Sequence, residues 1–232
     1  MTMKIGIVCA GDTEFAPYLN YMKNPVCIEK AMLKFYEGLI ENIPAVVLYS
    51  GVCKVNAAIA AQLLIDTFHV DFVINGGTAG GIHPDIHLFD TVIAERTAYH
   101  DVADDILTEF HPWMESVYFH ASPSLLDAAR KYSRLSKHKI LFGTTVTGEQ
   151  FINNTEREGF LQKYSPLCAD METGAYAHVC YVNQIPFLSV RTVTDTASHE
   201  GINEFEKNCE TASNISAEII VKMLPHLVSS VS

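Results

Sequence analysis

The chain has 232 residues, 48% of them apolar and 19% charged, a composition that builds a globular core and not a disordered tail. Its 16 basic residues stand against 27 acidic ones, for a formal net charge of -11, which repels a phosphate backbone and excludes general nucleic-acid binding while leaving room for a small nucleoside pocket. No run approaches the roughly 20 apolar residues of a spanning helix, and the opening MTMKIGIVCAGDTEF puts acids directly after its apolar run, so a cytoplasmic protein with no membrane partner is expected.

Short β-branched runs alternate with helical patterns along the chain. The runs at 4–9, 45–49 and 72–74 each end in a small polar cluster, as do 91–94, 140–146 and 187–193 further on; they predict strands buried on both faces. Between them, 54–68 repeats Val55, Ile59 and Leu63 at helical spacing, Pro123 and Ser124 start a helix over LLDAARKYSRL, and 171–184 carries Ala175, Val179 and Asn183. A last helix, 204–228, shows Ile215, Ile219 and Met223 on one side. Alternating strand and helix predicts an α/β fold with a largely parallel sheet between two helical layers. No repeat, linker or composition shift interrupts it, so residues 1–232 read as one domain. Six cysteines without a CxxC pair read as buried reduced thiols, and the histidines, His83 with His87 among them, fall short of a metal site.

Ligands of such sheets sit outside the carboxyl ends of the strands, which directs attention to the clusters that end the runs. Glu14, in Gly11-Asp12-Thr13-Glu14, suits either a general base or a helix cap. In Asn75-Gly-Gly-Thr-Ala-Gly-Gly81 the glycines fit a tight turn or the close approach of a sugar or base, with Thr78 offering a hydroxyl; no lysine marks it as an ATP-type phosphate loop. In Gly148-Glu-Gln-Phe-Ile152, Phe151 could stack on a heteroaromatic base and Ile152 could meet its edge through backbone, or both could be core. Met171 lies between Asp170 and Glu172, where it could cover a sugar whose hydroxyls bond a carboxylate, or simply pack inside. Asp195 ends the run that contains Arg191, a place where desolvation would suit a general acid and where a turn aspartate is also common.

Taken together, MKIGIVCAGDTE, SGVCKVNAA, NGGTAGG, AYHD, GEQFIN, DMETGAYAHVC, VRTVTD and NEF span nearly the whole chain, and the sequence resembles the 5′-methylthioadenosine/S-adenosylhomocysteine nucleosidases of the nucleoside phosphorylase superfamily. The resemblance implies a three-layer α/β/α sandwich, nucleoside phosphorylase-like, with a mixed, mostly parallel central sheet, hydrolysis of an N-glycosidic bond, no metal or organic cofactor, and a homodimer. It assigns Glu14 to activating water, Asp195 to protonating N7 of adenine, and Glu172 to the ribose diol, with Met171 against the sugar. Phe151 would stack on adenine and Ile152 bond its edge; Val52, Thr78, Arg191 and Phe205 would complete the pocket. A phosphorylase of the same superfamily would need arginines around phosphate, and the corresponding places here read Thr13-Glu14-Phe15, Asn75, and Lys30 or Ala31. A nucleoside-binding protein without turnover is the other alternative, opposed by the retention of all three acids.

The chain also departs from the family pattern. Gly11 stands for the usual Met, Cys53 for Gly, and Asp170 for Glu. After Tyr99-His100-Asp101, the segment VADDILTEFHPWMESVYF replaces the aromatic, glycine-rich stretch that helps form the family's 5′-substituent pocket and subunit contact. Recognition of the base is therefore expected to carry over more fully than that of the 5′ group.

Overall fold

The computed structural model describes residues 3–150, 152, 154–196 and 202–231. In chain order the elements are β1 (Ile5–Cys9), α1 (Asp12–Leu19), β2 (Lys23–Lys30), β3 (Leu33–Ile40), β4 (Ile43–Tyr49), α2 (Lys54–Phe68), β5 (Phe72–Gly81) and β6 (Thr91–Tyr99). There follow α3 (Ile106–Glu109), β7 (Phe119–His120), α4 (Pro123–Ser133), β8 (Ile140–Thr147), α5 (Asn154–Tyr164), β9 (Pro166–Asp170), α6 (Thr173–Asn183), β10 (Phe187–Asp195) and α7 (Ile202–Val231).

Parallel pairings join β4 to β1, β1 to β5 and β5 to β10, and alternate residues of these strands feed opposite cores. Ile5, Ile7, Phe72 and Ile74 face α1, α4 and α7; Val8, Val46, Leu48 and Val73 face α2 and α6. Each fully buried aliphatic side chain contributes about 1.5–3 kcal/mol, so a central strand packed on both faces is held from both sides. This is the expected three-layer arrangement. The sheet runs β10-β6-β8-β9-β5-β1-β4-β3-β2, and β10 also pairs with β5, so one end curls into a closed ring while the other stays open. Strands β5 and β9 are antiparallel but overlap only at Gly80 with Ala169 and Gly81 with Cys168, which brings the carboxyl ends of both together.

Several sequence expectations are corrected. The glycine run after Ile74 is not a turn: β5 continues through it to Gly81. In α2 the buried face is Ala57, Ala60, Ala61 and Leu64, because small side chains let the helix sit close to the sheet, while Val55 (68% exposed) and Ile59 (45%) point outward. The β2–β3 hairpin has no counterpart in the predicted elements; β2 is exposed along its length, so it carries no burial periodicity. Cys27 on that strand is exposed, against the reading of buried thiols, whereas Cys9, Cys168, Cys180 and Cys209 are buried. Residues 102–119 pack Leu107, Met114 and Phe119 against the α2–α6 core and leave Phe110 and Trp113 exposed.

Candidate active site

The carboxyl ends of β1, β5, β9 and β10 surround a cavity of about 460 Å³. Glu14 reaches it as the third residue of α1. One carboxylate oxygen accepts the backbone N–H groups of Ala10 (2.8 Å) and Gly11 (3.1 Å), which caps the helix. The other accepts the Thr78 N–H (2.7 Å) and hydroxyl (2.8 Å). Every one of these contacts is a donor, the surroundings an anionic oxygen requires. The cap and the site residue are thus the same group.

This approach depends on Gly77, whose φ is +155° and where a Cβ would lie 2.5 Å from Glu14 Oε1 and 2.6 Å from Arg191 Nη1. No side chain fits there.

Arg191, in the middle of β10, is 1% exposed. Its Nε lies 3.1 Å from Asp170 Oδ2, its Nη2 3.2 Å from Glu172 Oε2 and its Nη1 3.5 Å from Glu14 Oε1. Nη1 also donates to the Thr78 carbonyl at 3.1 Å. Arg191 is not among the described residues that line the cavity; it holds Asp170, Glu172 and Glu14, which do line it.

Asp170, which the sequence offers as an acid beside Met171 and as a departure from the family's Glu but not as a member of the site, holds the floor of the cavity together. It ends β9 and accepts the Thr147 hydroxyl (2.7 Å) and the N–H groups of Glu172 (3.2 Å) and Thr173 (3.0 Å), besides holding Arg191. Glu172 stands at the N-cap position of α6 with its side chain turned away from the helix, and its Oε1 accepts the Cys53 N–H at 2.9 Å. Cys53 takes φ +79°, a conformation suited to the glycine usual there. Three acids thus face one guanidinium in a buried space. Burial pushes the Glu172 carboxyl up to about 7; Arg191 opposes that rise and Asp170 adds to it. Burial works against the charge of Arg191, yet Asp170, Glu14 and Glu172 together hold its pKa above the ordinary value.

Asp195 is the last residue of β10, beyond an irregularity that begins at Val193, and pairs in register with Gly80. Its Oδ1 accepts the Thr194 hydroxyl at 2.8 Å. It lines the same cavity as Glu14, as do Thr78 and Glu172. Val52, Ile152, Met171 and Phe205 supply apolar wall. Phe151 lies outside the described residues. The sequence reading also missed Gln150, Arg157 and Cys209 on the lining; their positions follow from the ring of strands, and no local periodicity announces them. None of residues 102–119 is among the lining residues described.

A family model described as the Phosphorylase superfamily matches residues 4–225, and that is the class the ringed sheet and its acid-lined cavity define. Over 229 residues the chain is 35% identical to the 5′-methylthioadenosine/S-adenosylhomocysteine nucleosidase of Geobacillus kaustophilus, covering 96% of this chain and 97% of that one. It is 33% identical over 235 residues to the nucleosidase of the same name from Hydrogenovibrio crunogenus, covering 98% and 100%. The solved structure of such a nucleosidase from Colwellia psychrerythraea, in complex with adenine, superposes with a TM-score of 0.88 at 29% identity, covering 98% of this chain and 96% of that chain. The chain belongs to the 5′-methylthioadenosine/S-adenosylhomocysteine nucleosidase family.

Proposed function

We propose that this enzyme hydrolyses the N-glycosidic bond of 5′-methylthioadenosine/S-adenosylhomocysteine-type nucleosides to adenine and a thioribose. The observation that carries this reading is that Glu14 and Asp195 line one cavity, with Glu14 held from behind by donors. Glu14 takes a proton from water as its oxygen bonds to C1′. The C1′–N9 bond breaks, its electron pair passes to the purine, and Asp195 donates a proton to N7. Glu172 accepts hydrogen bonds from the ribose diol, Met171 covers the sugar, Phe151 stacks on adenine, and Ile152 meets its edge. Val52, Thr78 and Phe205 enclose the nucleoside, and Arg191 holds the acids in place. General acid and general base groups each contribute about 10²–10⁴-fold.

The phosphate-dependent alternative is disfavoured by charge. Arg191 is committed to three carboxylates, and Arg157, the only cationic side chain among the described lining residues, is anchored on the carbonyls of Gly81 (2.8 Å) and Ile82 (3.4 Å), at and just past the carboxyl end of β5. Incubation with 5′-methylthioadenosine in phosphate-free buffer tests the reading. Free adenine and thioribose support it; sugar 1-phosphate formed only when phosphate is added would show a phosphorylase, and binding without products a nucleoside sensor.

The same reading includes a single domain, supported by one sheet that takes strands from β1 through β10. It includes a homodimer formed over the outward faces of α2 and α6, where Val55, Ile59, Tyr181 and Val182 are exposed. It places the enzyme in the cytoplasm, whose reducing conditions suit six free cysteines; no helix among the described residues is long and apolar enough to cross a membrane.

A further inference from the structure

We propose that Asp101, clamped by Lys54, is a positioning residue that fixes the loop after β8 on the base side of the cavity, an inference that rests on the nucleosidase reading above. Residues 148–150 lead from β8 to Ile152, the residue proposed to meet the edge of adenine, and Gln150 and Ile152 both line the cavity. Asp101 lies two residues past the end of β6, and its Oδ2 accepts the Glu149 N–H at 3.0 Å. The Lys54 ammonium donates to Asp101 Oδ1 (3.0 Å) and Oδ2 (2.9 Å) and sits 5.2 Å from the centre of the Tyr99 ring. Glu149 returns the contact: its Oε1 accepts the Lys54 N–H at 3.1 Å. Three residues far apart in sequence thus close one cycle.

The first N–H groups of a helix have no partner within it and attract anions. At α2 two carboxylates take consecutive ones: Glu172 accepts from Cys53 (2.9 Å) and Glu149 from Lys54 (3.1 Å). One helix end thus joins the acid assigned to the ribose diol to the loop assigned to the base. The loop is tied at its root as well, where the Gly148 N–H donates to the Asp170 carbonyl at 3.1 Å. Burial works against the charge of Asp101, yet the Lys54 ammonium and the Glu149 N–H hold its carboxyl below the ordinary value, so the carboxylate makes both bonds. An isolated exposed ion pair contributes little; a cycle that also engages two backbone N–H groups fixes where the loop lies. Lys54 and Asp101 are not among the described lining residues, and their hydrogen bonds end on one another and on Glu149. The latch therefore acts through the loop, and it supports the base alike before and during bond cleavage, which is the signature of uniform binding.

The test measures kcat and KM for 5′-methylthioadenosine, and the Kd for adenine by calorimetry, in the wild type, Asp101→Ala, Asp101→Asn and Lys54→Met. Asp101→Ala removes both bonds and should raise KM and the adenine Kd together by about tenfold, with kcat within about threefold of wild type. Asp101→Asn keeps an oxygen for the Glu149 N–H but loses the charge that faces Lys54, so its rise should be smaller and matched by Lys54→Met. It supplies the reading if the Ala variant does not fold. Adding Lys54→Met to Asp101→Ala should change little further, because the cycle is already open. A role confined to stability would lower the denaturation midpoint and leave KM and the adenine Kd of the folded variants at wild-type values; that result, or a loss confined to kcat, overturns the proposal. If the wild type cleaves no nucleoside, the nucleosidase reading fails. Adenine binding then decides the latch by itself, a raised Kd in the Asp101 variants supporting it and an unchanged one overturning it.

Discussion

The floor of the cavity and the outer face of α2 and α6 break opposite rules of burial. At the floor, Glu14, Asp170, Glu172 and Arg191 are removed from water, and each finds its partners within the chain. On the outer face, Val55, Ile59, Tyr181 and Val182 remain in water. Buried charge is costly unless geometry and hydrogen bonds offset it, so a cluster of this kind marks the place where chemistry is done. Exposed apolar surface costs little in one chain and is recovered by association. The first departure supports the reaction proposed for the cavity, and the second the dimer proposed over α2 and α6.

The largest expected effect separates the two regions at once. Glu14→Gln and Asp195→Asn should each lower kcat by about 10²–10⁴-fold while nucleoside binding, followed by calorimetry, persists; wild-type rates in either variant would refute the assigned roles. Arg191→Met strips three buried acids of their common cation and should cost about 3–5 kcal/mol of stability, read as a lowered denaturation midpoint. A midpoint near wild type would mean the acids neutralise themselves.

A subtler probe is pH. The folded Glu172 carboxyl sits near 7 against an ordinary value of 4.5. Between these values the native state holds more protons than the unfolded chain, so this contribution to stability is present below pH 4.5 and lost as pH rises through 7. Melting temperature should therefore fall across that interval relative to Glu172→Gln, while diol binding, which uses the ionised carboxylate, improves. A difference curve flat with pH would remove Glu172 from the coupled cluster. The smallest effect belongs to the outer face: Ile59→Lys should shift the sedimentation coefficient toward that of one chain and leave monomer stability within about 0.5 kcal/mol. A single-chain wild type would remove the basis for that association.

The parts legible in the sequence are those where one residue type has one use. Strands β1, β4, β5 and β10 announce themselves because burial on both faces demands continuous apolar runs, and Glu14 and Asp195 draw attention because they stand in the polar clusters that close two of those runs. The face of α2 misleads because close packing favours alanine, so its larger apolar residues are the exposed ones. Arg191 and Asp170 are harder to read for a related reason: each acts through the other, and they lie 21 residues apart (191 − 170) on β10 and β9, meeting only once the fold is made. Arg157 lies on a helix of low amphipathicity, and its place at the cavity depends on the carboxyl end of β5, which no pattern near residue 157 encodes.

Strand β10 closes the ring, paired along one edge with β5 and along the other with β6. It also carries both Arg191 and Asp195. The cation that organises the acids and the group proposed to protonate the purine are thus mounted on one strand, which β5 holds along its length and β6 holds at Val190–Thr192. Fraying of that strand would disable both ends of the reaction in a single event, so heat should extinguish turnover at the same temperature at which amide protons of β10 begin to exchange, with no partially competent form between.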